Sequence, residues 1–245
     1  MTVTDQTVAR HSRAHGRANT RPETKKRRCR IIVMCSPKGG TGKTTFTQNL
    51  LPLMAGEGLR AIGVDLDPQG TLAKWFARRE KAAERNPDLA SFDLMPADLT
   101  QWERVLDTVA GYDVAVIDTL PSVKHAIGDV RALCEAADLV LVTTGATMSD
   151  IDSTIPWARE LGGLGIHFAI CMNRANRREL FFAEARAHLN KLGLLCPVEV
   201  RNLSDAHAFS VDGLAAADKP KSKAHADFVA VWDFVRREVG MEAVS

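Results

Sequence analysis

The chain has 245 residues, 45% of them hydrophobic, which is sufficient for one α/β domain with a sizeable buried sheet. No run approaches eighteen consecutive apolar residues, and no apolar stretch follows the basic N-terminal residues until Ile31, so the composition argues against a membrane span and a secretory signal. The net charge is only +2, and the five cysteines lack C-x-x-C spacing, which favours a reducing compartment and buried thiols.

The charge is divided unevenly along the chain. Residues 1–30 hold nine Lys and Arg against two acids, and the remaining residues hold 23 Lys and Arg against 28 acids. Because such a basic segment cannot bury itself, we expect residues 1–29 to form a disordered tail before a folded domain of residues 30–245. The tail either attracts phosphate backbones in a salt-dependent manner or serves only as a solvated leader.

Short apolar runs alternate with amphipathic stretches from residue 30 onwards. The predicted strands cover residues 30–35, 60–66, 90–95, 113–118, 139–143, 166–172 and 195–200. The predicted helices cover residues 44–57, 70–84, 99–110, 124–137, 153–161, 179–192 and 221–239. Nearly continuous apolar strands separated by helices indicate a doubly wound α/β fold, with a mostly parallel sheet and helices on both faces. Ligands of such folds bind beyond the carboxyl ends of the strands.

The segment SPKGGTGKTT, residues 36–45, joins the first predicted strand to the first predicted helix. Its glycines let the backbone turn tightly and aim its N–H groups inwards, where the following helix adds the positive end of its dipole. We therefore expect a phosphate-binding loop. In this loop Lys43 reaches the β- and γ-phosphates, the Thr44 hydroxyl binds Mg²⁺, and Thr45 supports the α-phosphate.

The general phosphate-loop pattern begins with Gly, whereas this loop has Pro37 followed by an additional lysine, Lys38. The run KGGTGKTT resembles the deviant Walker A loop of the ParA/MinD family of P-loop ATPases. The resemblance implies an ATP-dependent homodimer with ATP and Mg²⁺ as cofactors, in which Lys38 reaches the phosphates bound by the partner subunit. Such a lysine would couple dimerisation to the triphosphate, because a diphosphate offers it less negative charge. The loop residues assigned to the nucleotide are Lys38, Gly39, Gly40, Thr41, Gly42, Lys43, Thr44 and Thr45.

The second predicted strand runs into DLDPQG, residues 65–70, which resembles the D-x-D-P-Q motif of ParA proteins. Its two aspartates alternate along the strand and therefore point to different sides. The resemblance implies that Asp67 orients the attacking water and that Asp65 supports the Mg²⁺ shell. Together with Lys38 and Lys43, Asp67 completes the expected catalytic set.

The strand of residues 113–118 carries four apolar residues followed by Asp118, a pattern typical of Walker B. The Asp118 carboxylate is expected to hold Mg²⁺ through water. After this aspartate the sequences of the family usually continue D-T-P-P, whereas Leu120 separates Thr119 from Pro121 here. This departure concerns the geometry of the nucleotide-dependent switch and not the role of Asp118. After the strand that ends at Met172, Asn173 occupies a position at which the family has an asparagine that recognises the adenine edge; a plain strand-end turn is the alternative.

Four functions compete. DNA partition is favoured by the sequence DPQG, residues 67–70, and by the basic tail. A MinD-like membrane switch would end in an amphipathic helix, whereas the last residues, VGMEAVS, are short and acidic. An electron-transfer relative of the nitrogenase iron protein needs cluster-ligating cysteines, and TLPSVKH after Asp118 contains none. A scaffold that uses ATP only for structure is disfavoured because all the expected hydrolytic groups are present.

We therefore expect a ParA-like partition ATPase that is cytoplasmic, associated with the nucleoid and not attached to a membrane. Its hydrolysis would be slow alone, because no catalytic base motif exists beyond Asp67, and by resemblance a ParB-like centromere-binding partner would stimulate it. It would bind DNA without sequence preference. Arginines of the C-terminal half either add a phosphate-binding surface or are simply solvated. They are Arg174, Arg177, Arg178, Arg186 and Arg201.

Overall fold

The computed structural model describes residues 28–121 and 126–242. The predicted tail of residues 1–29 lies outside these ranges except for its last two residues, of which Cys29 is buried in the core. Residues 124 and 125, with which the predicted helix 124–137 begins, also lie outside them. The described part of that helix begins at Ile127.

Seven described strands form one sheet in the order β3-β2-β4-β1-β5-β6-β7, and every pair is parallel. They are β1 (Arg30–Met34), β2 (Ala61–Asp65), β3 (Asp93–Pro96), β4 (Val114–Asp118), β5 (Leu139–Thr144), β6 (Phe168–Met172) and β7 (Leu194–Leu195). The helices are α1 (Lys43–Gly56), α2 (Thr71–Arg85), α3 (Trp102–Val109), α4 (Ile127–Ala136), α5 (Met148–Gly163), α6 (Phe182–Asn190), α7 (Asp205–Ala208) and α8 (Lys223–Glu238). Short 3-10 turns cover Leu99–Gln101, Phe209–Asp212 and Ala216–Asp218.

The strands are apolar on both sides because helices cover both faces of the sheet. Val33 and Val142 belong to a buried cluster on the face covered by α3, α4, α5 and α6. Ile32 and Leu141 belong to the cluster on the opposite face, which α1, α2 and α8 cover. This arrangement confirms the predicted doubly wound fold.

The register of the sheet brings the carboxyl ends of three strands together. Met34 of β1 and Asp65 of β2 both pair with Asp118 of β4, so aspartates from two separate motifs end on neighbouring strands. Strand β1 lies between β4 and β5, and the loop that follows β1 is therefore flanked by the ends of both. The fold itself thus gathers the predicted phosphate loop and two of the predicted carboxylates.

Helix α5 begins at Met148 rather than at the predicted residue 153. The Thr147 hydroxyl accepts a hydrogen bond from the Asp150 N–H, and this N-cap starts the helix one and a half turns early. Strand β7 is shorter than predicted, because Pro197 has no N–H to donate to the ladder. The backbone nevertheless follows β6 further, since the Val200 N–H donates to the Met172 carbonyl oxygen at 2.9 Å.

A buried ion pair joins α2 to the irregular segment before α8, where the sequence pattern had predicted no element. Arg79 donates two hydrogen bonds to Asp218, of 2.7 and 2.9 Å, and one to the Ala90 carbonyl oxygen at 3.1 Å. Both charged side chains are less than 5% exposed, at 3% and 4%. The Asp218 carboxylate also accepts the Ala215 N–H at 2.8 Å, so the 3-10 turn is fastened to the middle of α2.

Candidate nucleotide site

The loop between β1 and α1 has the backbone geometry that its glycines were predicted to permit. Gly40 and Gly42 have φ angles of 74° and 105°, in the left-handed region that side chains disfavour. Gly42 is the N-cap of α1 and has no side chain that could accept a hydrogen bond from the first N–H groups of the helix. Free N–H groups at a helix N-terminus favour an anion at this point.

Hydroxyl groups fasten the loop to the end of β5. The Ser36 hydroxyl donates to the Thr143 carbonyl oxygen at 2.8 Å and accepts the Thr143 N–H at 3.0 Å. The Thr41 and Thr143 hydroxyls lie 3.0 Å apart. All three side chains are buried, so the loop is anchored at both ends to the rigid sheet.

Asn173 supports the loop from the end of β6. Its side-chain amide donates to the Thr41 carbonyl oxygen at 2.8 Å, and its amide oxygen accepts the Arg174 N–H at 2.9 Å. A Cβ atom on Gly42 would lie 2.0 Å from the Asn173 Nδ2 atom, so only glycine admits this contact. The side chain predicted to read adenine is thus engaged with the phosphate loop, and we expect it to position that loop.

Replacing Asn173 with alanine is therefore expected to lower the affinities for ATP and GTP alike, by about tenfold, because a buried carbonyl loses its donor. Titration calorimetry with both nucleotides measures the two affinities. Asn176→Ala, which removes an exposed amide from the segment that follows β6, is the control. A change in the ratio of ATP to GTP affinity would instead assign Asn173 to the nucleobase.

Thr44 and Lys43, at the start of α1, face Asp118. The Thr44 hydroxyl donates to Asp118 Oδ2 at 2.7 Å, and the Lys43 side chain is buried. Burial raises the pKa of Asp118 to about 7, against the lowering effects of Thr44 and Lys43. Burial likewise lowers the pKa of Lys43, and the Asp118 charge partly offsets this. The interior thus disfavours the charged forms of both Asp118 and Lys43. Bound ions of opposite charge would lower this free-energy cost.

Asp118 has an additional property that fits a hard cation. Within the described residues, its Oδ1 atom is buried and has no hydrogen-bond partner. Unsatisfied buried carboxylate oxygens are rare, and an adjacent hydroxyl and carboxylate form a ligand pair that Mg²⁺ accepts, directly or through water. Asp118 and Thr44 would therefore hold Mg²⁺, which when bound neutralises charge on the nucleotide phosphates.

We expect the Asp118 carboxyl of the nucleotide-free protein to titrate near pH 7 rather than near its ordinary value of 3.8. Between these two pH values the folded protein holds a proton that the unfolded chain has lost, so this group's contribution to stability falls as the pH rises towards about 7. Carbon-13 NMR of the aspartate carboxyls measures the titration, and Asp118→Asn assigns the resonance. A midpoint near 4 would contradict the effect of burial.

Asp65 and Asp67 have different surroundings. Asp65 is buried, and its two oxygens accept the Asp67 N–H at 3.1 Å and the Ala73 N–H at 2.9 Å. Burial raises its pKa, although these N–H groups oppose the rise. Asp67 is partly exposed and accepts the Gln69 N–H at 2.9 Å. Asp65 thus holds the turn that presents Asp67, while its predicted role in the Mg²⁺ shell stays a prediction.

A cavity of about 210 Å³ lies at the centre of these groups. It is lined by Gly40, Gly42, Lys43, Thr44, Thr45, Asp67, Thr119, Pro121 and Arg174. Most of the predicted loop residues and Asp67 therefore meet at one place. Thr119, Pro121 and Arg174 were not predicted to line it, although the Walker B pattern ends directly before Thr119. Lys38 is not among the described residues that line the cavity, because its side chain is directed towards α5.

Comparisons with known proteins show which family the sequence resembles. Residues 32–196 match the family model of the CobQ/CobB/MinD/ParA nucleotide binding domain. The maintenance of carboxysome distribution protein A of Gloeobacter kilaueensis is 32% identical over 167 residues, which cover 67% of this chain and 73% of that protein. A probable plasmid-partitioning protein ParA of Thermus thermophilus is 29% identical, with 51% of this chain and 48% of that protein covered. The chain thus spans about half the length of this second relative.

Solved structures share the fold. The septum site-determining protein MinD of Pyrococcus horikoshii, determined with Mg-ADP, superposes with a TM-score of 0.68 at 20% identity. The match covers 86% of this chain and 98% of that one. At this identity the similarity shows the shared P-loop architecture.

Proposed function

Because the chain belongs to the CobQ/CobB/MinD/ParA family of P-loop ATPases, which use ATP and Mg²⁺, we propose that it is a ParA-like partition ATPase. ATP binding drives formation of a homodimer, the dimer binds DNA without sequence preference, and hydrolysis stimulated by a ParB-like partner resets it. The observation that carries the ATPase proposal is the buried Asp118 carboxylate, which is bonded to Thr44 through one oxygen and has no partner on the other.

Each residue of the site has a proposed role. Lys43 and the loop N–H groups bind the β- and γ-phosphates, and Thr44 with Asp118 holds Mg²⁺. Asp67 orients the attacking water, since it is a partly exposed carboxylate on the wall of the cavity. Lys38 reaches the phosphates of the partner subunit. Within the described part of the site, Asp67 is the carboxylate that remains available to water, and no catalytic base motif exists beyond it. Hydrolysis is therefore slow without a partner.

Three of the five arginines predicted to contact DNA make ion pairs within the domain. Arg177 and Arg186 both bind Glu199, which is buried, and Arg201 binds Asp227 at 2.9 Å. Two carboxylates thus face three arginines, so that one positive charge is left uncompensated, and the ion pairs weaken the case for a phosphate-binding surface at these three positions without removing it. Arg174 and Arg178 of the predicted set are exposed and stay candidates for DNA contact, and the basic residues before Arg28 are a second source of DNA affinity.

DNA binding by the full chain and by a variant that starts at Arg28, which keeps the buried Cys29, tests the DNA proposal. Fluorescence anisotropy with a random duplex, with ATP and with ADP over a salt series, measures it. Stronger binding with ATP in both proteins is the expected result. Binding that ignores the nucleotide and is lost with residues 1–27 would reduce DNA affinity to electrostatic attraction by the N-terminal residues.

Positioning of another cargo is the second candidate. It is favoured by one observation, the 32% identity to a relative named for carboxysome distribution. Both candidates share the nucleotide switch and differ in cargo. No described helix has the length and apolar content needed to span a membrane. With DNA as its support, the protein would be associated with the nucleoid in the cytoplasm.

A further inference from the structure

A groove follows the outer edge of β3, which is the last strand on one side of the described sheet. It has a volume of about 480 Å³ and lies between Phe76 of α2, on one face of the sheet, and Tyr112, which follows α3 on the other face. A second cavity of about 490 Å³ is also lined by Tyr112 and extends to Arg60, directly before β2. We call these two adjoining cavities the edge groove.

The edge groove combines an apolar wall with negative charge. Phe76 and Leu94 line it and are partly exposed. Glu80 and Asp93 also line it and are exposed, and within the described residues neither of them takes part in an ion pair. The Tyr112 hydroxyl donates to Asp93 Oδ2 at 2.7 Å, which holds this carboxylate at the mouth of the groove. The groove therefore presents two carboxylates beside exposed apolar surface.

Both arginines that line the edge groove are neutralised by partners of their own. Arg79 binds Asp218 at 2.7 Å, and Arg60 binds Asp113 at 2.8 Å. Arg79 also shows that this surface accepts a cation, because its Cζ atom lies 5.0 Å from the ring centroid of Phe92. Lysine and arginine side chains suit such a groove, since their aliphatic stems pack on apolar surface and their charged ends reach carboxylates.

The basic N-terminal residues of the chain join the fold at the same end of the sheet. Arg30 begins β1 and Asp93 begins β3, and in a parallel sheet both lie at the amino ends of the strands. Three strand spacings separate β1 from β3, a distance of about 15 Å. Residues 21–27, RPETKKR, directly precede the described part of the chain and hold four basic residues against one acid. Seven extended residues span about 23 Å and therefore reach the groove.

We propose that the edge groove is the docking site of residues 21–27 of the same chain. The segment lies along the outer edge of β3, where an extended backbone supplies hydrogen-bond partners to the strand, and its basic side chains bind Glu80 and Asp93. Docked there, these charges are withheld from other anions. A DNA duplex competes with the groove for them, a consequence that rests on the proposed DNA binding.

Hydrogen–deuterium exchange of the full chain, read by mass spectrometry, measures the docking. Replacing Lys25, Lys26 and Arg27 together with alanine is expected to speed the exchange of amides 89–95 by about threefold to tenfold. This is the effect of a weak contact made at an effective concentration in the millimolar range. Raising the salt concentration to about 1 M should speed the exchange of the unmodified chain in the same way, because salt screens exposed charges.

Glu80→Gln combined with Asp93→Asn removes the charges of the groove and keeps the side-chain shapes, including an acceptor for the Tyr112 hydroxyl. This variant should exchange as fast as the alanine variant, and the two sets of substitutions together should have no larger effect than either alone. Glu84→Gln combined with Asp88→Asn removes two exposed charges that do not line the groove and is the matched control. Thermal unfolding verifies that each variant is folded.

Faster exchange in the alanine variant and in the groove variant, but not in the control, supports the proposal. Unchanged exchange in the alanine variant overturns it, and so does an equal effect of the control, which would reduce the effect to overall charge. Protection that is lost on dilution would assign the groove to the segment of a second copy and contradict docking within one chain. Exchange is measured without DNA, so that a failure of this proposal and a failure of the proposed DNA binding are seen separately.

Discussion

Replacing Lys43 with methionine is expected to lower the affinity for ATP by at least about a hundredfold, because the phosphates lose a buried, charge-assisted partner. The Lys43 side chain is 5% exposed and lies near Asp118 in a region from which water is largely excluded. Electrostatic attraction is strong in such surroundings, so a substitute that retains the volume but not the charge should remove most of the binding energy.

The same substitution should not unfold the protein. Burial already lowers the pKa of Lys43, which means that the interior disfavours its charge. Methionine has a similar length and no charge to solvate. Titration calorimetry gives the affinity, and thermal unfolding without nucleotide gives the stability. Lys81→Met, on the exposed face of α2, is the control. ATP binding by Lys43→Met within threefold of the unmodified chain would remove Lys43 from the phosphate site.

Replacing Asp67 with alanine should leave ATP binding intact and reduce the rate of hydrolysis by about a hundredfold or more, so that the ATP-bound dimer accumulates. The reason is the position of Asp67. Its carboxylate lines the cavity and is partly exposed, whereas Asp65 and Asp118 are buried. Phosphate release under single-turnover conditions measures the rate, and sedimentation in ATP measures the trapped dimer.

Asp67→Asn separates the charge from the structure of the turn. The asparagine side chain can still accept the Gln69 N–H, as Asp67 does at 2.9 Å. If the carboxylate acts on the attacking water, the asparagine and alanine variants hydrolyse ATP equally slowly. Hydrolysis by Asp67→Asn at the unmodified rate would show that Asp67 serves only to form the turn.

The phosphate loop and its carboxylates were predictable because the rules that place them are local. Gly40 and Gly42 lie in the turn between a strand and a helix, where the backbone needs positive φ angles. Asp118 ends an apolar run. A parallel sheet then collects the ends of its strands at one edge. The early start of α5 also had a signal, since Thr147 and Asp150 have the spacing of a capping pair.

The contacts of Lys38 and Asn173 were not predictable in this way. Lys38 meets Asp150 across 112 positions of sequence, and Asn173 meets Thr41 across 132. Each contact depends on how β5 and β6 are ordered beside β1, and no local pattern encodes that order. The family resemblance suggested what these residues do with a nucleotide present. The resemblance did not predict the contacts of Lys38 and Asn173 in the absence of a nucleotide, because those contacts depend on the side chains of this chain alone.

The ion pair between Arg79 and Asp218 implies that two distant parts of the chain open to solvent together. Helix α2 starts directly after the turn that carries Asp67, and Asp65 holds the N–H of Ala73 in its first turn. The buried charges cannot part without leaving an unpaired ion in the interior. Amide protons of α2 and of the turn at residues 216–218 should thus exchange with deuterium as one cooperative unit. A displacement of the Asp67 turn that moves α2 would therefore also act on the segment before α8.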